Sequence, residues 1–180
     1  MKPKGPLMIE HRLIEKAIDI LKKMKIKILQ ENKINNLNIH TIIDFIRIYA
    51  DQTHHGKEED ILFEQLKNKN LDKEDKKMMD DLINEHNYAR SLVKELNDAN
   101  EKFQLGDKSY LNIIIKNIDE LINFYPGHII KEDEIFFPDS EKYFDVSELN
   151  EMLASFYEFD KKMIHRKYKS VVESLQQLYI

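Results

Sequence analysis

Apolar residues recur along this chain at intervals of three and four, the spacing that lines one face of an α-helix, in five successive runs. The first, from Met8 to about Gln30, carries Ile14, Ala17, Ile18, Leu21, Met24 and Ile28. The second, from about Leu37 to Lys67, carries Ile43, Ile46, Ala50, Ile61 and Leu62. The third runs to about Phe103 with Met79, Leu82, Ile83, Ala89, Val93 and Leu96 in phase, and Asp72 stands where an N-cap would. The fourth, about Tyr110 to Phe137, carries Ile114, Ile118, Leu121, Phe124 and Ile135; a fifth amphipathic run spans about Val146 to Leu178. Asn-rich ENKINN, then NKNLD, then GDKS separate the first four runs, and MKPKGP reads as a short flexible lead. Pro138 marks the end of the fourth run, and Pro126-Gly127 predicts a bend inside it. Short loops imply antiparallel neighbours. The expectation is an all-α, up-down-up-down four-helix bundle over about 8–138 with an additional C-terminal helix at about 146–178, one domain over 1–180.

Polar residues interrupt these stripes in a regular way. His11 falls on the apolar face of the first run and His86 on that of the third. The second run carries His54 and Glu58, the fourth His128 and Glu132, each pair one turn apart on a single face. These pairs belong to a repeat: HHGKEEDILF (54–63) and HIIKEDEIFF (128–137) agree at five of ten positions without gaps. Glu10-His11 echoes Glu85-His86 in the same way. A carboxylate on an apolar face costs several kcal/mol unless something compensates it. Four helices each pointing a histidine inward, two of them adding a glutamate, form the donor set of a dinuclear metal centre inside a bundle. His55/Glu59 has the same spacing, but Asp51 lies one turn before His55 whereas apolar Ala50 lies one turn before His54. We therefore take His54 and Glu58 as ligands and His55 and Glu59 as rim or supporting groups.

The pattern resembles the hemerythrin-like family, the HHE cation-binding domains, over Met8 to Phe137. The resemblance implies a non-haem di-iron centre bridged by Glu58 and Glu132, with His11, His54, His86 and His128 as terminal ligands. Oxygen-carrying members have a further histidine four residues after that of the third helix; this chain has Arg90 there. Four histidines and two bridging carboxylates supply about eight metal–ligand bonds and a bridging oxygen about two more, out of roughly twelve around two octahedral ions, so about two positions stay open. That count suits O2, peroxide or NO as exogenous ligand, in oxygen or redox response or in protection of iron centres, more than reversible carriage. Family members that repair iron centres often carry a cysteine-bearing segment, and this sequence has no cysteine. The alternative is an iron- or oxygen-responsive interaction module without turnover. Manganese or zinc accepts the same donors.

Composition narrows the field further. With 42% hydrophobic and 34% charged residues the chain suits a soluble globular protein, and without cysteine it excludes disulfides and thiolate-bound metals. A net charge of −5 disfavours nucleic acid as a partner, and no apolar stretch suits a membrane span or a signal peptide, so a cytoplasmic location is expected. A small diatomic or peroxide ligand is the expected partner; the fifth helix leaves room for a homodimer contact, and the chemistry for a redox partner. His40 and His165 read as surface residues. Tyr49, Tyr88 and Tyr125 read as core packing or as hydrogen-bond donors to a bound ligand. Arg90 reads as a partner of a carboxylate, a gate, or an exposed side chain.

Overall fold

The computed structural model describes the backbone of residues 2–178 and the side chains of residues 2–163 and Lys167. Five long helices make the fold. They are α1 (Lys4–Glu31), α2 (residues 36–67), α3 (Lys73–Gln104), α4 (residues 111–140) and α5 (Val146–Leu178). Helices α1 to α4 pack in a closed ring, each against the next and α4 back against α1, while α5 lies along α2. Among the described residues no helix is long and apolar enough to cross a membrane.

The ends are set by local chemistry. Asn35 accepts a hydrogen bond from the Asn38 amide to open α2, and Asp72 accepts one from the Asp75 amide to open α3, as its position predicts. Asn32, left-handed at φ 50°, closes α1. The lead is already helical from Lys4, because prolines at positions 3 and 6 fall where a helix's first amides need no partner. Leu7 is fully buried there.

Helices α2 and α4 are not α-helical throughout. In α2 the turns widen to π-helix over Ile46–His55 and again over Glu58–Phe63; in α4 they widen over Glu132–Phe136. A π turn bonds i to i+5, so it rotates the downstream residues relative to the α-helical register. That rotation turns Phe136 and Phe137 inward and leaves Ile135, in phase on a regular helix, 44% exposed. The expected bend at Pro126 does not occur: Leu111–Lys131 is unbroken, and Pro126 and Gly127 lie on its exposed side, where water can satisfy the freed carbonyl. Pro138 does not stop the helix either, because it occupies the first turn of the closing α-helical segment Phe137–Ser140.

The apolar interior falls into two clusters. One, built on Ile14, Leu21, Ile43, Leu96, Ile118 and Leu121, fills the bundle end nearer the 32–35 and 105–110 loops. The other, built on Leu7, Phe63, Leu82, Phe137, Met152 and Phe156, fills the opposite end and includes α5. Between them lies a layer of buried polar groups.

Candidate metal centre

This layer contains seven histidines and glutamates, none more than 3% exposed: His11, His54, His55, Glu58, His86, His128 and Glu132. Their donor atoms form two groups, each within 4.8 Å internally: His11, His54, Glu58 and Glu132 in one, His55, His86 and His128 in the other. The two carboxylates lie between. Glu58 turns Oε1 toward His54 Nε2 at 3.5 Å and Oε2 toward His86 Nε2 at 3.4 Å. Glu132 turns Oε2 toward His11 Nε2 at 3.2 Å and Oε1 toward His128 Nε2 at 3.3 Å and His86 Nε2 at 3.5 Å. Donors at right angles around one ion, with bonds of about 2.1 Å, sit about 3 Å apart.

Whether these residues fit a metal can be read from their unmet polar atoms. Both oxygens of Glu58 and of Glu132, and Nε2 of His86 and His128, are buried without a hydrogen-bond partner among the described residues. Native interiors rarely leave such atoms unpaired. His11 and His54 make the same point differently. Their Nε2 atoms are 2.8 Å apart while each Nδ1 faces a carboxylate. If each Nδ1 donates its proton outward, two lone pairs meet, an arrangement that a shared cation or proton settles. The donor set fits one or two metal cations.

The outward nitrogens show what the repeat is for. His54 Nδ1 pairs with Glu10 at 2.9 Å and His128 Nδ1 with Glu85 at 2.8 Å. His11 Nδ1 pairs with Asp133 and His86 Nδ1 with Glu59, both at 2.6 Å. Such carboxylates fix ring tautomer and orientation. The repeated lysines complete the arrangement, Lys57 donating to Glu10 and Lys131 to Glu85. Arg12 in turn donates to Asp133, and Arg90 to Glu59 at 2.8 Å. Glu10, Glu85, Asp133 and the two lysines were not singled out as functional in sequence, although each belongs to a repeated Glu-His, Lys or acidic position.

The two lysines differ in one respect. Lys57 is fully buried because α5 covers it, adding Asp160 at 2.7 Å, whereas Lys131 is 32% exposed. Lys57→Met should therefore lower stability by about 2 kcal/mol, less than for a fully enclosed pair because Asp160 is part-exposed, and Lys131→Met by under about 1 kcal/mol. Chemical denaturation of both variants would check this, and equal losses would refute it.

The model of the hemerythrin HHE cation binding domain matches residues 6–139 and, separately, 78–176. The chain belongs to this family. No curated protein and no solved structure matches it. Its two matched segments overlap over 78–139, the half of the HHE bundle that repeats the first.

Within this HHE domain all six residues expected at the metal, His11, His54, Glu58, His86, His128 and Glu132, come together in the polar layer. His55 does so too. It is not on a rim but 1% exposed, its ring stacked on that of His86 at 3.8 Å between centroids. The widened turns of Ile46–His55 allow two successive histidines to face inward, which a regular helix would not. Glu59 keeps a supporting place against His86. Of the remaining histidines, His40 is exposed and the His165 side chain lies outside the described residues. Tyr88 is exposed and donates to Glu120, and Tyr49 is half-buried against Phe45. Tyr125 is buried with its hydroxyl unpartnered. It lines a cavity of about 380 Å3 together with Asp51, His55 and Arg90.

Charge in the metal-free layer is unevenly shared. Burial pushes the His11 imidazole down, but the hydrogen bond to Asp133 and the adjacent Glu132 and Asp133 carboxylates carry it up to about 9. Burial holds His54 near 4 despite Glu10. Burial and the charge of Glu132 push Glu58 well above the usual carboxylate range.

Proposed function

We propose that this HHE domain holds two iron ions and binds or reacts with a small exogenous ligand: O2, peroxide or NO. The observation that carries this reading is the division of each bridging carboxylate, one oxygen of Glu58 and of Glu132 facing each histidine group. His11 and His54 would hold one ion, and His86 and His128 the other, joined by His55. When bound, the iron pair supplies electrons and open coordination positions for the incoming ligand. The chain orients five imidazoles, four of them through carboxylates, and excludes water with an apolar cluster on either side.

With His55 included, the protein and a bridging oxygen supply about eleven of roughly twelve bonds, leaving about one open position, at the His11–His54 ion. The fifth histidine comes from α2, not from the position of Arg90.

A second reading, an iron- or oxygen-responsive interaction module, draws on one observation. The C-terminal helix reaches the ligand His54 through Asp160, Lys57 and Glu10, so occupancy of the site and docking of α5 share a chain of one ion pair and two hydrogen bonds. Metal content per chain, measured on untagged protein from iron-replete cells together with its optical spectrum in air, tests the primary reading. About two irons per chain, with near-ultraviolet bands that change on adding azide, is the expected result. One metal or none would reject the dinuclear centre.

A further inference from the structure

His55 differs from the other four inward histidines. Theirs are held from behind by carboxylates at 2.6–2.9 Å, whereas the nearest carboxylate to His55 Nδ1, that of Asp51, is 3.5 Å away. The nitrogen is buried without a hydrogen bond. Asp51 is engaged elsewhere: Arg90 Nε donates to it at 2.8 Å while the same guanidinium donates to Glu59. His55 is also where the two halves of the repeat part company. Its counterpart 74 residues on is Ile129, and that of Asp51 is Tyr125. All of these except Ile129 and Glu59 line the cavity, and the Tyr125 hydroxyl there is a buried donor with no acceptor.

We propose that His55 is a displaceable ligand whose release opens, toward this cavity, a second position for a small anion or diatomic molecule at the His86–His128 ion, with Tyr125 donating a hydrogen bond to the newcomer. The inference rests on the dinuclear reading above. Arg90 sets the balance: by occupying Asp51 it denies His55 the carboxylate that would hold it in place. The centre therefore has about one permanently open position and one conditional position, on opposite ions.

Azide titration of the oxidised protein, after metal analysis, tests this. Wild type with about two irons should bind azide in two steps. His55→Ala should tighten the weaker step by roughly tenfold or more, since a tethered competitor populated about 90% of the time reduces apparent affinity by that factor. Should His55→Ala lose metal, Arg90→Gln decides. By freeing Asp51 to grip His55 it should weaken the second step several-fold both for azide and, on reduced protein, for uncharged nitric oxide. Weakening of azide alone would mean that Arg90 attracts anions directly, and would overturn the proposal. So would a single step in wild type that becomes two in His55→Ala, or a second step that neither variant moves. Fewer than two irons in wild type overturns the dinuclear centre itself, and this inference with it.

Discussion

Replacing Glu58 or Glu132 by glutamine should reduce the metal content from about two ions per chain to about one or fewer, the largest effect expected of any single substitution in this domain. Glutamine keeps the size and one acceptor oxygen but removes the anion and puts an NH2 group where the second ion needs a lone pair. The geometry leaves no substitute. Each carboxylate reaches histidines of both groups, and the neighbouring acids Glu59 and Asp133 point outward, already bonded to His86 and His11. His40→Ala, on the exposed surface, serves as the control and should load fully. Equal loading of all three variants, measured by elemental analysis at matched protein concentration, would remove the bridging assignment.

Stripping the metal should lower Tm by roughly 10 °C or more, the shift expected for a ligand about a thousandfold above its Kd on a chain of this size. It should also make stability steeply dependent on pH. His11, carried up to about 9 from an ordinary 6.5, contributes stability that is complete below its unfolded value and is lost as pH rises through 9. Glu58, also raised, loses its contribution in the same direction. His54, held near 4, behaves oppositely: its contribution is complete above 6.5 and is lost as pH falls toward 4. The metal-free chain should thus be most stable at about pH 6.5, while in the loaded protein the metal replaces the His11 proton and the alkaline loss disappears. Thermal melts of chelator-treated and loaded protein at about pH 5, 6.5 and 8.5 would show this; a metal-free chain as stable at the highest pH as at the middle one would contradict it.

Most of the helices and six residues of the polar layer could be read from sequence because periodicity and repetition are local properties. Ile14 or Leu121 announces an inward face by its spacing alone, and so does His128. His55 could not be read that way. The argument that set it aside assumed a constant angular step per residue, and the π turns of α2 break that assumption without a sequence signature recognisable beforehand. Ile135 went wrong for the same reason in α4. The anchoring carboxylates were hidden differently. Glu10 and Asp133 look like ordinary surface acids along their own helices, and their roles exist only across helix boundaries, in contacts separated by 44 and 122 residues. What sequence did offer was repetition of whole phrases, and each identically repeated polar residue in them contacts the layer or its anchors, while Asp60 and Glu134, acidic in both copies, are exposed.

The exchange of anchors between halves, Glu59 to His86 and Asp133 to His11, bears on how the protein is made. A ribosome releases this chain from the N-terminus, so α1 and α2 emerge with His11, His54 and Glu58 well before Glu132 and Asp133 exist. The first ion site then lacks one of its four donors and the orientation of another, and the second has only His55 and one oxygen of Glu58. A metal ion met during synthesis finds at most a partial, weak site until residue 133 has emerged. Full loading in this way waits for all four bundle helices, which keeps the metal from lodging in a half-built bundle.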